Sequence, residues 1–193
     1  MEHDVIIVGG GAAGLMAAVT AAGRGRRVLL LEKMDQAGRK LRITGKGRCN
    51  FTNVKSWNDF APHIRTNQGF MRAAFRNLTP EALIMFFRRH GLETAVERGD
   101  RAYPASYRAS DVVDTLSAAA TAAGAQLLQG KPARQVEILE NGSFSVTCDG
   151  GAQYTCKKLI IATGGLSYPA TGSTGDGYNW AEDLGHTSCS RTT

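Results

Sequence analysis

A chain of 193 residues, 42% hydrophobic and 21% charged, is long enough to close a real core, and its composition is not that of a disordered chain. A net charge of +6, from 23 basic and 17 acidic residues, admits nucleic acid, phosphates or anionic metabolites without choosing among them. The start MEHDVIIVGGG is acidic where a secretory leader is basic, and no run approaches the roughly 18 apolar residues of a membrane helix. A cytoplasmic protein with no membrane partner is therefore expected.

In chain order, residues 5–8 form a short β-branched run that suits a parallel strand buried on both faces. A glycine cluster follows, then an alanine-rich helix over 12–22 ended by Gly23 in the C′ position. Arg24, Arg26 and Arg27 lie where the helix dipole favours cations, and residues 28–31 read as a second buried strand. This is a βαβ unit of about 30 residues. Residues 38–69, rich in Gly, Asn, Thr and Lys, read mostly as loop. Thr79 as N-cap and Pro80 as first residue open a helix that runs to Gly91, and Ser110 opens another that closes near Gly124. AQLLQG reads as a strand. ARQVEILE, SFSVTC and QYTCKKLIIA, split by Glu140-Asn141-Gly142 and Asp149-Gly150-Gly151, read as an antiparallel meander. Residues 159–162 are wholly apolar and return to the parallel sheet. The fold class is thus α/β: a Rossmann-like βαβ domain with a parallel sheet plus an antiparallel β-meander. Cys49, Cys148, Cys156 and Cys189 show no CxxC pair, so free thiols are expected, with neither a disulfide frame nor a metal site.

Gly9-x-Gly11-x-x-Gly14 directly follows a strand, opens a helix, and is answered by Glu32 at the end of the second strand. That context is the dinucleotide fingerprint. The glycines let backbone approach a pyrophosphate at the helix N-terminus, while Glu32 can accept from ribose hydroxyls and repels a 2′-phosphate. A plain NAD domain usually continues βαβαβ after the acid. Here a basic loop, a helical stretch and a meander intervene before LIIATGG, an arrangement that resembles two-dinucleotide-fold flavoproteins and so implies FAD.

The strings DVIIVGGGAAGLMAA, LLLEKMDQAGRKLRITGKGRCNFTN, YPASYRASDVVDTL and LIIATGGLSYPATGSTGDGYNWAEDLGH together resemble one bacterial flavoprotein family. Its members carry names such as aminoacetone oxidase-like FAD-binding enzyme and include a reductase of bile-acid dehydroxylation. The resemblance covers residues 1–187 and implies a glutathione-reductase-like fold, here incomplete. It implies Gly9, Gly11, Ala12, Ala13 and Gly14 at the pyrophosphate, Glu32 and Lys33 at the adenosine ribose, and Arg39 and Lys40 beside the diphosphate or ribose. Gly45, Gly47, Arg48, Cys49 and Asn50 would line the ribityl chain and isoalloxazine. The backbone of Arg134 would meet the adenine. Thr163, Gly164 and Gly165 would form the turn beneath the flavin, and Thr174, Gly175 and Asp176 a segment closing over it. Arg39 and Lys40 suit that end of the cofactor, since both can neutralise phosphate.

Some side chains keep two readings. Arg48 serves the cofactor or a surface ion pair. Cys49 beside Arg48 invites a redox role, but no resolving cysteine is near, so a packing role beside the flavin is preferred. Tyr103 and Tyr168 border the flavin or simply pack, His186 is a helix-end residue, and no general acid or base is named. The resemblance implies a longer protein, so the chain is expected to be the N-terminal part of a flavin-dependent oxidoreductase, with residues 188–193 a tail unlike the family. Reduced nicotinamide, NAD(P)H, would supply hydride, and a small or steroid-like acceptor, or oxygen, would receive it. The alternative is a truncated part that binds FAD or another adenine nucleotide without turnover. The less favoured alternative is an RNA-associated flavoprotein, since residues 38–48 are basic; nucleic acid is not the expected partner because they lack interleaved aromatics, with Phe51 and Trp57 only downstream.

Overall fold

The computed structural model describes residues 2–65 and 67–187; Cys189 and the tail 188–193 lie outside them. In chain order the elements are β1 (His3–Val8), α1 (Ala12–Ala22), β2 (Val28–Leu31), α2 (Arg39–Ile43), β3 (Thr52–Asn53), α3 (Trp57–Phe60), α4 (Gln68–Asn77) and α5 (Pro80–Arg89). There follow β4 (Thr94–Glu97), β5 (Arg101–Pro104), α6 (Ala109–Ala122), β6 (Gln126–Leu128), β7 (Ala133–Ile138), β8 (Phe144–Cys148), β9 (Gln153–Ile161) and α7 (Asp176–Asp183). The chain divides into two compact units, Met1–Leu41 with Leu116–Thr193, and Arg42–Thr115.

The first unit is built on a six-stranded sheet in the order β6-β2-β1-β9-β8-β7. β1 pairs in parallel with β2 (Val5 opposite Val28) and with β9 (Val5 opposite Lys158), and β2 pairs in parallel with β6. β9 does two jobs: antiparallel to β8 through residues 153–156, it then runs parallel to β1 as far as Ile161. The last strand of the meander and the fourth parallel strand are therefore one continuous strand. Alternation along the strands puts Ile6, Val8, Leu29 and Leu31 on the face that packs with Val136, Val146, Cys156 and Trp180. Ile7 and Leu30, both fully buried, point the other way, and α1 packs against β1 and β2. This is a Rossmann-like α/β fold with a mostly parallel sheet and an antiparallel extension.

α1 spans the residues expected, but its end differs in detail. Gly23 keeps a right-handed conformation (φ −61°), and the left-handed residue is Gly25 at φ +72°.

The second unit holds a three-stranded antiparallel sheet, β3-β5-β4, which the sequence pattern did not disclose. Residues 38–69 are also more regular than their composition suggests. They contain α2, two 3₁₀ turns, β3, α3 and the start of α4. The reason is that β3 draws its hydrogen bonds from β5, with Thr52 opposite Ala102, a partner too distant in sequence for local pattern to reveal. Phe87 on α5 is buried, its ring tilted against that of Phe51 at 4.8 Å between centroids. Thr79 caps α5 as expected, its hydroxyl accepting the Ala82 N–H at 3.2 Å. No described helix is long and apolar enough to cross a membrane.

In urea unfolding followed by circular dichroism, Thr79→Ala should cost about 1 kcal/mol through the lost cap. Phe87→Ala should cost about 3–5 kcal/mol through the cavity it leaves.

Candidate functional site

Three parallel strands of the first unit, β1, β2 and β9, end at one edge, and the fingerprint residues lie in the turns that leave it. Gly9 has φ +107°, and a Cβ there would stand 2.5 Å from the Ala162 carbonyl oxygen at the exit of β9. A Cβ on Gly14 would lie 1.8 Å from the carbonyl oxygen of Gly9. Both positions thus exclude any side chain. Gly11 is different: a Cβ there meets nothing within 4 Å, and its φ of −80° suits any residue. The second glycine of the motif therefore faces open space. Ala12 and Ala13 follow it, exposed, at the start of α1, which has neither a capping side chain nor an acid in its first turn. The N–H groups of an uncapped first turn have no intrahelical acceptors and carry the positive end of the helix dipole.

Glu32, only 9% exposed, closes the other side. Its carboxylate accepts the Gly10 N–H at 2.6 Å and the Met34 N–H at 2.8 Å. Gly10 went unremarked in the sequence reading, although GGG contains it; a Cβ there would press to 3.0 Å from the carboxylate. Each oxygen of Glu32 keeps lone-pair capacity beyond these bonds. Next in sequence, Lys33 reaches a distant segment: Nζ donates to Thr174 Oγ1 at 2.6 Å and to Asp176 Oδ2 at 2.8 Å, and the Thr174 hydroxyl donates to Asp176 Oδ1 at 2.8 Å. Burial pushes the Asp176 carboxyl up, but the Lys33 ammonium and Thr174 hydroxyl outweigh it and hold the group below its ordinary range.

Thr163, Gly164 and Gly165 follow β9, and Gly164 takes φ +75°. α7 packs on this turn closely enough that a Cβ on Gly177 would stand 2.4 Å from Thr163 Oγ1. Gly175 is left-handed at φ +81° against Leu166. Gly38 donates to the Gly10 carbonyl at 2.8 Å, which places Arg39 and Lys40 immediately after a residue tied to the fingerprint turn. Arg39 lies 3.8 Å from the exposed Asp35. Arg134 is skipped in the pairing of β7 with β8. Its guanidinium is bidentate on Asp149, and its carbonyl accepts the Trp180 indole N–H at 3.4 Å. The first unit thus carries every residue expected at the adenosine, pyrophosphate, ATGG and TGDG positions.

Gly45, Gly47, Arg48, Cys49 and Asn50 belong to the second unit. Gly45, Lys46, Gly47 and Cys49 are all left-handed, at φ +56°, +57°, +82° and +57°. The Asn50 amide holds the loop by donating to the carbonyls of Thr52 (2.9 Å) and Ala102 (3.0 Å). The Arg48 guanidinium stands 4.8 Å from the centroid of the buried Tyr103 ring and 5.8 Å from that of Tyr107, with Glu97 at 3.6 Å. Cys49 is fully buried, and burial pushes its thiol up in spite of a hydrogen bond to Thr44. That environment disfavours a thiolate. Tyr168 is 67% exposed, and the His186 N–H closes the end of α7 on Ala181 O. No group of three or more His, Cys, Asp or Glu residues among those described could hold a metal.

The sequence matches the HI0933-like protein Rossmann domain over residues 3–193. The chain belongs to that family. It is 32% identical over 184 residues to the ribosomal RNA dihydrouridine synthase of Escherichia coli, covering 95% of this chain and 45% of the relative. It is 31% identical over 183 residues to the 3-dehydro-bile acid delta(4,6)-reductase of Clostridium scindens, covering 94% and 44%. The chain therefore spans less than half the length of these relatives. Among solved structures it resembles Thermovibrio ammonificans THI4, with a TM-score of 0.57 at 18% identity, over 84% of this chain and 58% of the other. That likeness is one of fold.

Gly14→Ala should prevent stable folding, since the clash is with backbone, whereas Gly11→Ala should melt within a degree or two of the parent in a thermal scan. The Asp176 carboxyl is depressed in the folded chain, so the stability it lends is present above the ordinary carboxylate range and lost as pH falls through its lowered value. Lys33→Met should accordingly be less stable than the parent near neutral pH, with the gap narrowing on acidification; melting curves across that range check it.

Proposed function

We propose that this chain is the FAD-binding part of a flavin-dependent reductase that adds hydride to a carbon–carbon double bond conjugated with a carbonyl. The observation that carries the reading is the open, uncapped start of α1 beside the anchored carboxylate of Glu32. Space over Gly11 admits a pyrophosphate, and the N–H groups of Ala12, Ala13 and Gly14 are free to receive it. Glu32 would accept from the ribose hydroxyls, and its charge disfavours a 2′-phosphate there. Arg39 and Lys40 would neutralise the diphosphate. The Gly164 and Gly165 turn, held by α7, would present backbone to the far end of the cofactor. When bound, the flavin would supply hydride, received in turn from a reduced nicotinamide.

FAD rather than NAD is favoured by the meander placed between the fingerprint and the ATGG turn, an arrangement shared with the flavoprotein family that the motifs resemble. The acceptor class comes from the names of two relatives. Forming dihydrouridine from uridine adds two hydrogens across a ring double bond next to a carbonyl. A delta(4,6)-reductase acting on a 3-dehydro steroid removes unsaturation conjugated with a ketone. The two acceptors differ in size and charge but share that bond type.

Purified protein should be yellow or take up FAD, seen as quenching of flavin fluorescence. Gly11→Asp should keep the parent's circular dichroism spectrum while weakening FAD binding at least about tenfold, through charge repulsion at the pyrophosphate. A folded parent that leaves FAD fluorescence unchanged would overturn the reading. Binding without nicotinamide oxidation would reduce it to a cofactor-binding part.

A further inference from the structure

The helix α4 is amphipathic, yet little of it is covered. At about 3.6 residues per turn, Phe70, Met71, Ala74 and Phe75 share one side of the helix, with Leu78 just past its end. Arg72 and Arg76 lie on the opposite side. Phe75 alone is drawn in, its ring centroid 5.2 Å from that of Trp57 and 5.7 Å from that of Phe60. Every other residue of the helix is exposed. Phe70 shows 77% of its surface, and Met71 and Leu78 show 41% each. A clustered apolar surface of this kind marks a contact with something else.

Charge narrows what that partner is. Residues 42–115 hold twelve Lys and Arg against seven Asp and Glu, so five of the six net positive charges lie there. Four of those acids are tied to Arg42, Arg48, Lys55 and Arg108. Residues 60–80 contain no acid at all, while Arg65, Arg72 and Arg76 are exposed. Asp59, just before this stretch, accepts from the Ser56 hydroxyl at 2.6 Å. A second copy docked through α4 would bring two acid-free basic helices together, and their like charges repel. An apolar side backed by cations is instead the pattern of helices that lie in the plane of an anionic bilayer. Such a helix needs no spanning run, so the absence of one from the sequence does not bear on it.

We propose that α4, with Arg65 before it, is a docking surface for an anionic lipid bilayer: Phe70, Met71 and Leu78 enter the acyl boundary, and Arg65, Arg72 and Arg76 are held by the negative headgroups. Arg72 and Arg76 face away from the acyl chains, but a helix is only about 10 Å across, so both stay within roughly a Debye length of the charged surface. Neither half suffices alone. A small apolar anchor binds marginally and reversibly, and an added electrostatic attraction makes the contact stable. Binding therefore needs both Phe70 and negative lipid.

The test is co-sedimentation of the 193-residue chain with phosphatidylcholine vesicles, plain or carrying about one-third phosphatidylserine. The parent should sediment with the mixed vesicles at low salt, ignore the plain ones, and come off as salt rises. R72Q/R76Q should weaken binding about thirtyfold, at about fivefold for each cation lost near the surface. F70A should weaken it about tenfold through the lost apolar contact. R24Q/R26Q, which removes the same charge from the end of α1, should bind like the parent. All five side chains are exposed, so melting temperatures should match the parent, and the comparison holds between variants that pass this check. No sedimentation with mixed vesicles at low salt would overturn the proposal, as would an F70A or R72Q/R76Q that binds like the parent. An equal loss in R24Q/R26Q would do the same, since net charge alone would then explain the binding. So would a Phe70-dependent dimer in size-exclusion chromatography from a chain that ignores vesicles. None of these residues is among those proposed to hold FAD, so failure here leaves the reductase proposal intact.

Discussion

The first unit depends on one buried carboxylate. Glu32 is almost removed from water, where an unpaired charge would be costly, and its oxygens are satisfied by the N–H groups of Gly10 and Met34. Those two bonds fix the exit of β1 against the exit of β2. The backbone of the same residue bonds to the end of β6, donating to Leu128 O, and to the segment after it, accepting from Lys131 N–H. Gly38 returns to the Gly10 carbonyl, so the chain after β2 is pinned to the same turn. A carboxylate that would hold a ribose is thus also a structural clamp. Changing it disturbs fold and ligand together, while a side chain added at Gly11, where a Cβ would meet nothing within 4 Å, separates the two.

A second constraint comes from β9. Because one strand passes from the antiparallel meander into the parallel sheet, its end arrives beside Val8, with the Ala162 N–H on the Val8 carbonyl. That is why Gly9 must lack a side chain: its would-be Cβ falls on Ala162. Gly177 plays the same part between α7 and Thr163. Lys33 then ties the end of β2 to Thr174 and Asp176, ahead of and at the start of α7. Turns distant in sequence are held at one edge by backbone contact and one ammonium, the edge where open α/β sheets bind their ligands.

The second unit has a different character. Its loop at residues 44–50 stores left-handed backbone at two non-glycine residues, Lys46 and Cys49, and is held by the Asn50 amide. Arg48, read from sequence as either a cofactor ligand or a surface ion pair, pairs with Glu97 at 3.6 Å and also lies over two tyrosine rings. Stacking of this kind favours Arg over Lys, whose point charge has no planar face. Cys49 is buried with a raised thiol, in line with a packing role.

By itself the sequence determined the βαβ unit, the fingerprint, the acid that answers it, the cap of α5 and the three strands of the meander. Each rests on a local rule: glycine spacing, strand alternation, a threonine before a proline, turns rich in Asn and Gly. What it missed depended on partners far along the chain. β3 draws its bonds from β5 some fifty residues on, although β5 itself pairs locally with β4, and Gly10 matters only because Glu32 comes back to it. Only the tertiary structure could show that Gly11 faces open space while Gly9 and Gly14 cannot carry a side chain, since that depends on which backbone lies opposite. Only it could show that Phe75 of α4 turns inward and Phe70 does not. Local pattern fixes which residues form an element; what each side chain meets is decided by the packing of elements that local pattern does not contain.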